Sequence, residues 1–205
     1  ADGFVEERVW EVLLNDPHCD VCSAQDKDYL LQNSATVVRL VELIDGAESS
    51  VEIAQFTWSN RDIEAAVLRA ASRPDVEVRI AINEAQREGD TVATRLAAAG
   101  VDVAYVRGKD NGSYFGLQHA KFMRIDGRTI AMGSNNYSST GLSFNSENTM
   151  VVTSDPEDPL LQAFGCYFEH MFQGRFDDAS ACSTEEVTFT PGSAATKVLR
   201  DEFRA

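Results

Sequence analysis

No apolar run in this chain approaches the roughly 18 residues that a membrane-spanning helix needs, which leaves no span of that kind. Basic residues are scarce: 18 Lys and Arg stand against 33 Asp and Glu, a formal charge of −15. Such a chain is repelled at long range by nucleic acid and by anionic membrane surfaces, although a local basic pocket still dominates at contact distance. No signal-peptide pattern opens the sequence, and a start at Ala1-Asp2-Gly3 rather than Met fits a processed terminus. Histidine is limited to three positions, His18, His119 and His170, and cysteine to four, Cys19, Cys22, Cys166 and Cys182.

The cysteines are even in number and split between the two ends, which favours disulfides in an oxidising compartment, hence a secreted or periplasmic protein. The pairing stays open: local (19 with 22, 166 with 182) or joining the termini. Free thiols and zinc are the rivals; His18-Cys19 and Cys22 have ligand-like spacing, but the second half of a zinc signature is missing.

What is present suits one α/β domain. The 205 residues are 43% apolar, enough for a sizeable core. Residues 1–32 are acidic and irregular after an amphipathic segment at 5–14, stopped by Asp16-Pro17. Val37, Val38, Leu40, Val41 and Ile44 recur at helical spacing and predict a helix over 35–44 with Asn33 or Ser34 as its cap. A buried strand follows over 51–58, then a helix over 62–71. Val76, Val78, Ile80 and Ile82 alternate as a strand, a helix spans 91–99, and Val101, Val103 and Tyr105 alternate again. This series implies parallel pairing through helical crossovers, so the expected architecture is a mixed, largely parallel β-sheet flanked by helices. Residues 107–117 read as a glycine-rich loop. Asn148 to Thr153 read as a strand and 156–173 as a helix opening on Asp155-Pro156, with Leu160, Leu161, Phe164, Phe168 and Met171 as its inner stripe.

The chemistry concentrates in residues 119–148. His119 and Lys121 are two apart, so on an extended strand they project from one face. Asp126-Gly127 is a hairpin signal, and residues 129–132 make the return strand to Gly133-Ser134. That glycine lets the backbone approach a bound group beside a hydroxyl and the amide of Asn136. An imidazole, an ammonium, a hydroxyl and an amide converging on one point suit an anionic ligand that develops charge, such as a phosphoryl group. Tyr114 and Phe115, directly upstream, are available as a pocket lip; a merely mobile connection is the plainer reading. An ordinary hairpin with a surface His and Lys would leave the Gly-Ser-x-Asn run and Glu147 without explanation.

The pattern His119-x-Lys121, four residues, Asp126, six residues, Gly133-Ser134, then Asn136, resembles the HxKxxxxDxxxxxxGS signature of the phospholipase D superfamily. Glu147 in Ser146-Glu147-Asn148 falls where the small nuclease-like members carry a glutamate. The resemblance implies the phospholipase D-like fold and a two-step displacement at phosphorus through a phosphohistidine, with no metal or other cofactor. It implies a catalytic set of His119, Lys121, Ser134, Asn136 and Glu147, with Asp126 more of a hairpin anchor. Lys121, Ser134 and Asn136 would also meet the substrate, with Tyr114 and Phe115 beside them. It further implies two HxK motifs facing each other. His18 is followed by Cys19-Asp20 and His170 by Met171-Phe172, so the second motif must come from another chain, in a homodimer or as the other half of a bilobed enzyme.

Domain boundaries follow: an N-terminal extension over 1–32, a catalytic domain over 33–183, and a tail over 184–205 reading as strand, Pro-Gly turn and helix start. Ser193 to Val198 loosely echo Ser34 to Val38, so the tail reads either as the opening of a second half or as an appendix. The expected substrate is a phospholipid, whose head group is hydrolysed or exchanged. The alternatives are nucleic acid, cut by a metal-independent homodimeric nuclease, and, from another class, a catalytically idle binding protein on the same fold.

Overall fold

The computed structural model describes residues 8–15, 34–110, 112–174 and Cys182. Eight strands form one sheet: β1 (Val9–Asn15), β2 (Ser50–Gln55), β3 (Glu77–Asn83), β4 (Asp102–Asp110), β5 (Phe115–Leu117), β6 (Phe122–Ile125), β7 (Thr129–Gly133) and β8 (Glu147–Thr153), in the spatial order β1-β8-β7-β6-β2-β3-β4-β5. The helices are α1 (Ala35–Asp45), α2 (Arg61–Ala71), α3 (Val92–Ala98), α4 (Ser139–Ser143) and α5 (Pro159–Phe172).

The mixed α/β sheet is as expected, but its parallel part is confined to β2–β3 and β3–β4. The pairings β1–β8, β8–β7, β7–β6, β6–β2 and β4–β5 are antiparallel, which corrects the largely parallel sheet inferred from the strand–helix series. The reason lies in the second half of the chain, where β6, β7 and β8 follow one another as hairpin-linked strands without crossover helices.

Strand alternation sorts side chains to two faces. Val51 and Ile53 of β2, with Met123 and Ile125 of β6, join α1, α2 and α3 in the larger core, where Leu40, Ile44, Ile63, Val67 and Leu96 are buried. On the other face Ala54, Ala81 and Phe122 pack beneath Phe168 and Met171 of α5. The aromatic stripe of α5 is therefore core, as its periodicity indicates. Glu52 lies buried on this second face, held by Arg79 at 2.6 Å and Arg124 at 2.8 Å. Such a buried carboxylate survives desolvation only because it is paired and hydrogen-bonded.

Helix starts obey local chemistry. Asn60 accepts hydrogen bonds from the amides of Asp62 and Ile63, and Thr91 forms a capping box with Thr94. Helix α5 opens on Asp158-Pro159 rather than on Asp155-Pro156: the Asp158 carboxylate accepts from the Leu160 amide at 2.9 Å while Arg8 grips both its oxygens at 2.7 and 2.8 Å. The Arg8 hydrogen bond, outweighing burial, holds the Asp158 carboxyl below the usual carboxylate range.

Two further expectations change. Part of the stretch assigned to an N-terminal extension is strand β1, paired along its length with β8 from Val9↔Thr153 to Asn15↔Glu147. The presumed loop at 107–117 is largely the end of β4 and the short β5, a hairpin with an irregular register. Cys166 is bonded to Cys182, one of the two local pairings. That link closes a loop of about 15 residues and contributes roughly 3 kcal/mol in the chain-entropy model. His18, Cys19, Cys22 and the tail over 184–205 lie outside the described residues.

Candidate active site

Sheet topology brings the motif residues to one edge. Because β6 is antiparallel to β2 (Ala54↔Phe122), the end of β2, the start of β6, the end of β7 and the start of β8 lie on the same side. The chain reaches that edge from β5 by passing over the ends of the parallel strands. Gln118, itself buried, donates to the Ala81 carbonyl at 3.4 Å and accepts from Asn83 Nδ2 at 3.5 Å. His119 follows and is exposed. Ligand sites of open α/β sheets favour this carboxyl-terminal edge of parallel strands.

His119 and Lys121 lie in the segment leading into β6 rather than on the strand itself, yet their side chains meet. Lys121 Nζ is 3.1 Å from His119 Nδ1, 3.3 Å from Nε2, and donates to the His119 carbonyl at 2.9 Å. Burial lowers the pKa of Lys121, and the carboxylate of Glu147 opposes that shift. Glu147 is half-buried and accepts from Asn145 Nδ2 at 3.1 Å.

Ser134 is exposed at the end of β7 and tied to the start of β8. Its amide donates to the Asn148 carbonyl at 3.1 Å, and its Oγ accepts from the Asn148 amide at 3.1 Å. Asn136 is half-buried, with Oδ1 inside and no donor to it among the described residues. Gly133 serves the strand pair rather than a ligand: a Cβ there would sit 2.0 Å from the Asn148 carbonyl oxygen, so only glycine lets β7 and β8 close up. That corrects the role read from the sequence.

Asp126 stands apart. It sits at the other end of β6, five residues and about 16 Å from Lys121 at 3.3 Å per residue. Its carboxylate accepts from the amides of Glu48, Ser49 and Ser50 at 2.9, 2.7 and 2.8 Å and from the Ser49 hydroxyl at 2.9 Å. Burial pushes this carboxyl up, but those donors outweigh it and hold its pKa below the ordinary value. Asp126 is therefore a clamp between the β6–β7 turn and the start of β2, away from His119 and Lys121.

Tyr114 and Phe115 are exposed on the β4–β5 hairpin, with the Arg107 guanidinium 4.5 Å from the Phe115 ring centroid. Between this hairpin and residues 83–88 runs an open groove of about 520 Å³, lined by Glu84, Arg87, Arg107, Phe115 and Leu117 among others. None of His119, Lys121, Ser134 or Asn136 lines it. The residue that sequence reasoning missed is Phe56, whose ring centroid lies 4.6 Å from that of His119. It was absorbed into a buried strand, and no local signal separates it from core aromatics.

Among the described residues one cluster has metal-ligand composition, Cys166, His170 and Cys182, and its two cysteines are joined in the disulfide. The arrangement at the sheet edge can do something else: it presents an accessible imidazole next to an ammonium, with hydroxyl and amide groups arriving from the next turn.

Known proteins resemble this chain in sequence and in fold. A family described as "Cardiolipin synthase, PLD-like domain" matches residues 40–172. A mitochondrial cardiolipin hydrolase of Xenopus laevis is 31% identical over 142 residues, which are 69% of this chain and 62% of that protein. One from Chlamydomonas reinhardtii is 28% identical over 153 residues, 74% and 63% respectively. The chain thus spans less than two thirds of the length of these relatives. Their mitochondrial names overturn the secreted or periplasmic location expected from the cysteines. In fold, NucT from Helicobacter pylori superposes with a TM-score of 0.64 at 21% identity, over 82% of this chain and 98% of that one. The phospholipase D family member Nuc from Salmonella typhimurium gives 0.62 at 22%, over 82% and 96%.

Proposed function

The chain belongs to the phospholipase D superfamily through its PLD-like domain, and from that premise we propose that it is a phosphodiesterase that transfers a phosphoryl group through His119. The observation that carries this reading is the exposed imidazole of His119 with Lys121 Nζ 3.1 Å away, Ser134 and Asn136 following from the next strand end.

In the first step an imidazole nitrogen of His119 attacks phosphorus, and the bond to the leaving alcohol breaks. The alcohol takes its proton from a second histidine, as imidazolium. In the second step that imidazole removes a proton from water or an acceptor alcohol, whose oxygen displaces His119 and forms the product. Lys121 and the Asn136 amide donate to nonbridging oxygens, where negative charge accumulates. Ser134 and Glu147 orient these groups. His170 lies beside the Cys166–Cys182 disulfide, so the second histidine is assigned to another HxK motif, supplied by a second copy or by another half. The positive charge at the phosphate comes from Lys121 and the lysine of the second HxK motif, so no metal enters the scheme.

The preferred substrate is a phospholipid, supported by the cardiolipin hydrolases among the relatives. The compact single-motif chain keeps a second reading, a homodimeric nuclease, which the formal charge of −15 disfavours for tight DNA binding. The test compares vesicles of cardiolipin or phosphatidylcholine with plasmid DNA, all in EDTA, beside His119→Ala. Phosphatidate release, abolished in His119→Ala, is expected. DNA nicking without lipid hydrolysis selects the nuclease, a requirement for added metal overturns the mechanism, and a His119→Ala protein of near-full rate removes His119.

A further inference from the structure

We propose that Phe56 is a positioning residue that holds the His119 imidazole and the Lys121 ammonium in register; the inference rests on the phosphodiesterase reading above. Phe56 directly follows Gln55, the last residue of β2. Its ring lies against the His119 ring at 4.6 Å between centroids, with the planes at 57°, and the same ring is 5.6 Å from Lys121 Nζ. One aromatic side chain therefore touches both motif residues. Its face attracts a cation, by about 0.5–1 kcal/mol at exposed sites.

The backbone that carries Phe56 is fixed on both sides. Gln55, fully buried, donates to the Asn135 carbonyl at 3.3 Å and accepts from the Tyr137 amide at 3.4 Å. Two residues beyond, Trp58 meets Tyr137 edge-on at 5.4 Å, and the amides of Ser59 and Asn60 both donate to the Tyr137 carbonyl at 2.9 Å. Those partners flank Asn136. Phe56 thus rides on a segment whose neighbouring residues are tied to the loop bearing Asn136, while its own ring meets His119 and Lys121, although the three come from separate parts of the sequence.

The chemistry gives this a purpose. Lys121 Nζ now lies within 3.3 Å of both imidazole nitrogens. To attack phosphorus His119 needs a free nitrogen, so the ammonium must swing from the imidazole to a phosphate oxygen. The flat face of Phe56 bounds that swing and keeps the imidazole from following. A branched aliphatic side chain has comparable apolar character but neither the flat face nor the quadrupole.

The experiment compares Phe56→Leu and Phe56→Tyr with the wild type on bis(p-nitrophenyl) phosphate. Misplacing a catalytic group by an ångström costs on the order of 100-fold. We expect Phe56→Leu to lower kcat by about 10- to 100-fold with KM changed little, and Phe56→Tyr to restore most of the rate. An unchanged kcat in Phe56→Leu, a loss confined to KM, or an equal loss in Phe56→Tyr would overturn the proposal. A second measurement needs no turnover. With three histidines in the chain, His119→Asn identifies the His119 ring protons by NMR. Their Overhauser contacts to the Lys121 side chain should be present in wild type and Phe56→Tyr and lost in Phe56→Leu; contacts that persist in Phe56→Leu refute the positioning role. Should the wild-type protein hydrolyse no diester, the functional reading fails while the NMR comparison still decides the role of Phe56.

Discussion

At the residue scale the site is a balance around one ammonium. Burial disfavours the charged form of Lys121 and the Glu147 carboxylate favours it. Glu147→Gln removes the favourable partner, so Lys121 loses its proton at a lower pH. If the charged lysine clamps phosphate, the basic limb of kcat/KM against pH moves to lower pH in this variant, and a limb that stays in place would separate Glu147 from Lys121 in the mechanism. Asp126 shows the opposite case, a motif carboxylate whose partners are four backbone and hydroxyl donors rather than the site. Its folded pKa is depressed, so its contribution to stability is present above the ordinary carboxylate value of about 3.9 and is lost as pH falls through the folded pKa. Asp126→Asn, which tolerates the left-handed φ of 52° at this position, should lower unfolding free energy by about 1–2 kcal/mol at neutral pH. The gap between the two proteins should narrow as pH falls below about 3.9; urea midpoints at pH 7 and pH 3.5 that show a constant gap would exclude the clamp.

At the scale of elements, legibility followed the range of the interactions. Helix α1 and strand β3 were readable because Val37, Leu40 and Ile44, or Val78, Ile80 and Ile82, carry their own periodicity. The β6–β7 hairpin was readable because Asp126-Gly127 supplies the two positive φ values that its turn demands, 52° and 67°. Strand β1 was not, because nothing in residues 9–15 states that the partner lies at 147–153. Gly133 was misread for a related reason: its neighbour is the Asn148 carbonyl, supplied by the next strand rather than by a ligand. The His119-Lys121 pair was legible as a spacing, whereas Phe56 reaches it from just beyond the end of β2, more than sixty residues upstream. Gly133→Ala is the sharp test at this scale. A Cβ 2.0 Å from a backbone carbonyl must part β7 from β8. We expect a cost of about 1–3 kcal/mol, as overpacking of tight sites gives, and a Ser134 amide that exchanges faster with solvent; wild-type stability in this variant would show that the strands can shift freely.

For the whole molecule, the proposed two-histidine scheme raises the question of where its second histidine comes from. The motif residues that share this sheet edge, His119 to Glu147, lie at or just beyond the ends of β6, β7 and β8, with His170 beside the disulfide on α5. A particle of twice 22.5 kDa by light scattering, losing activity on dilution to monomer, is the result expected of a homodimer. Full activity in a strictly monomeric particle would require a histidine partner within this chain and would sink the two-motif scheme. The relatives extend beyond what this chain spans, so the other half of a larger assembly is the competing source.

The pairing of β1 with β8 also sets a schedule for biosynthesis. Val9 finds its partner at Thr153 and Asn15 at Glu147. A ribosome therefore releases the Val-Trp-Glu-Val-Leu-Leu stretch first and supplies its docking strand only some 130 residues later. Until then an apolar, strand-forming segment waits unpaired, the kind of template that draws chaperones or neighbouring nascent chains. Strand β1 can be placed only once β8 exists, and it then forms the outermost strand of the sheet, with Val9, Val12 and Leu14 still exposed.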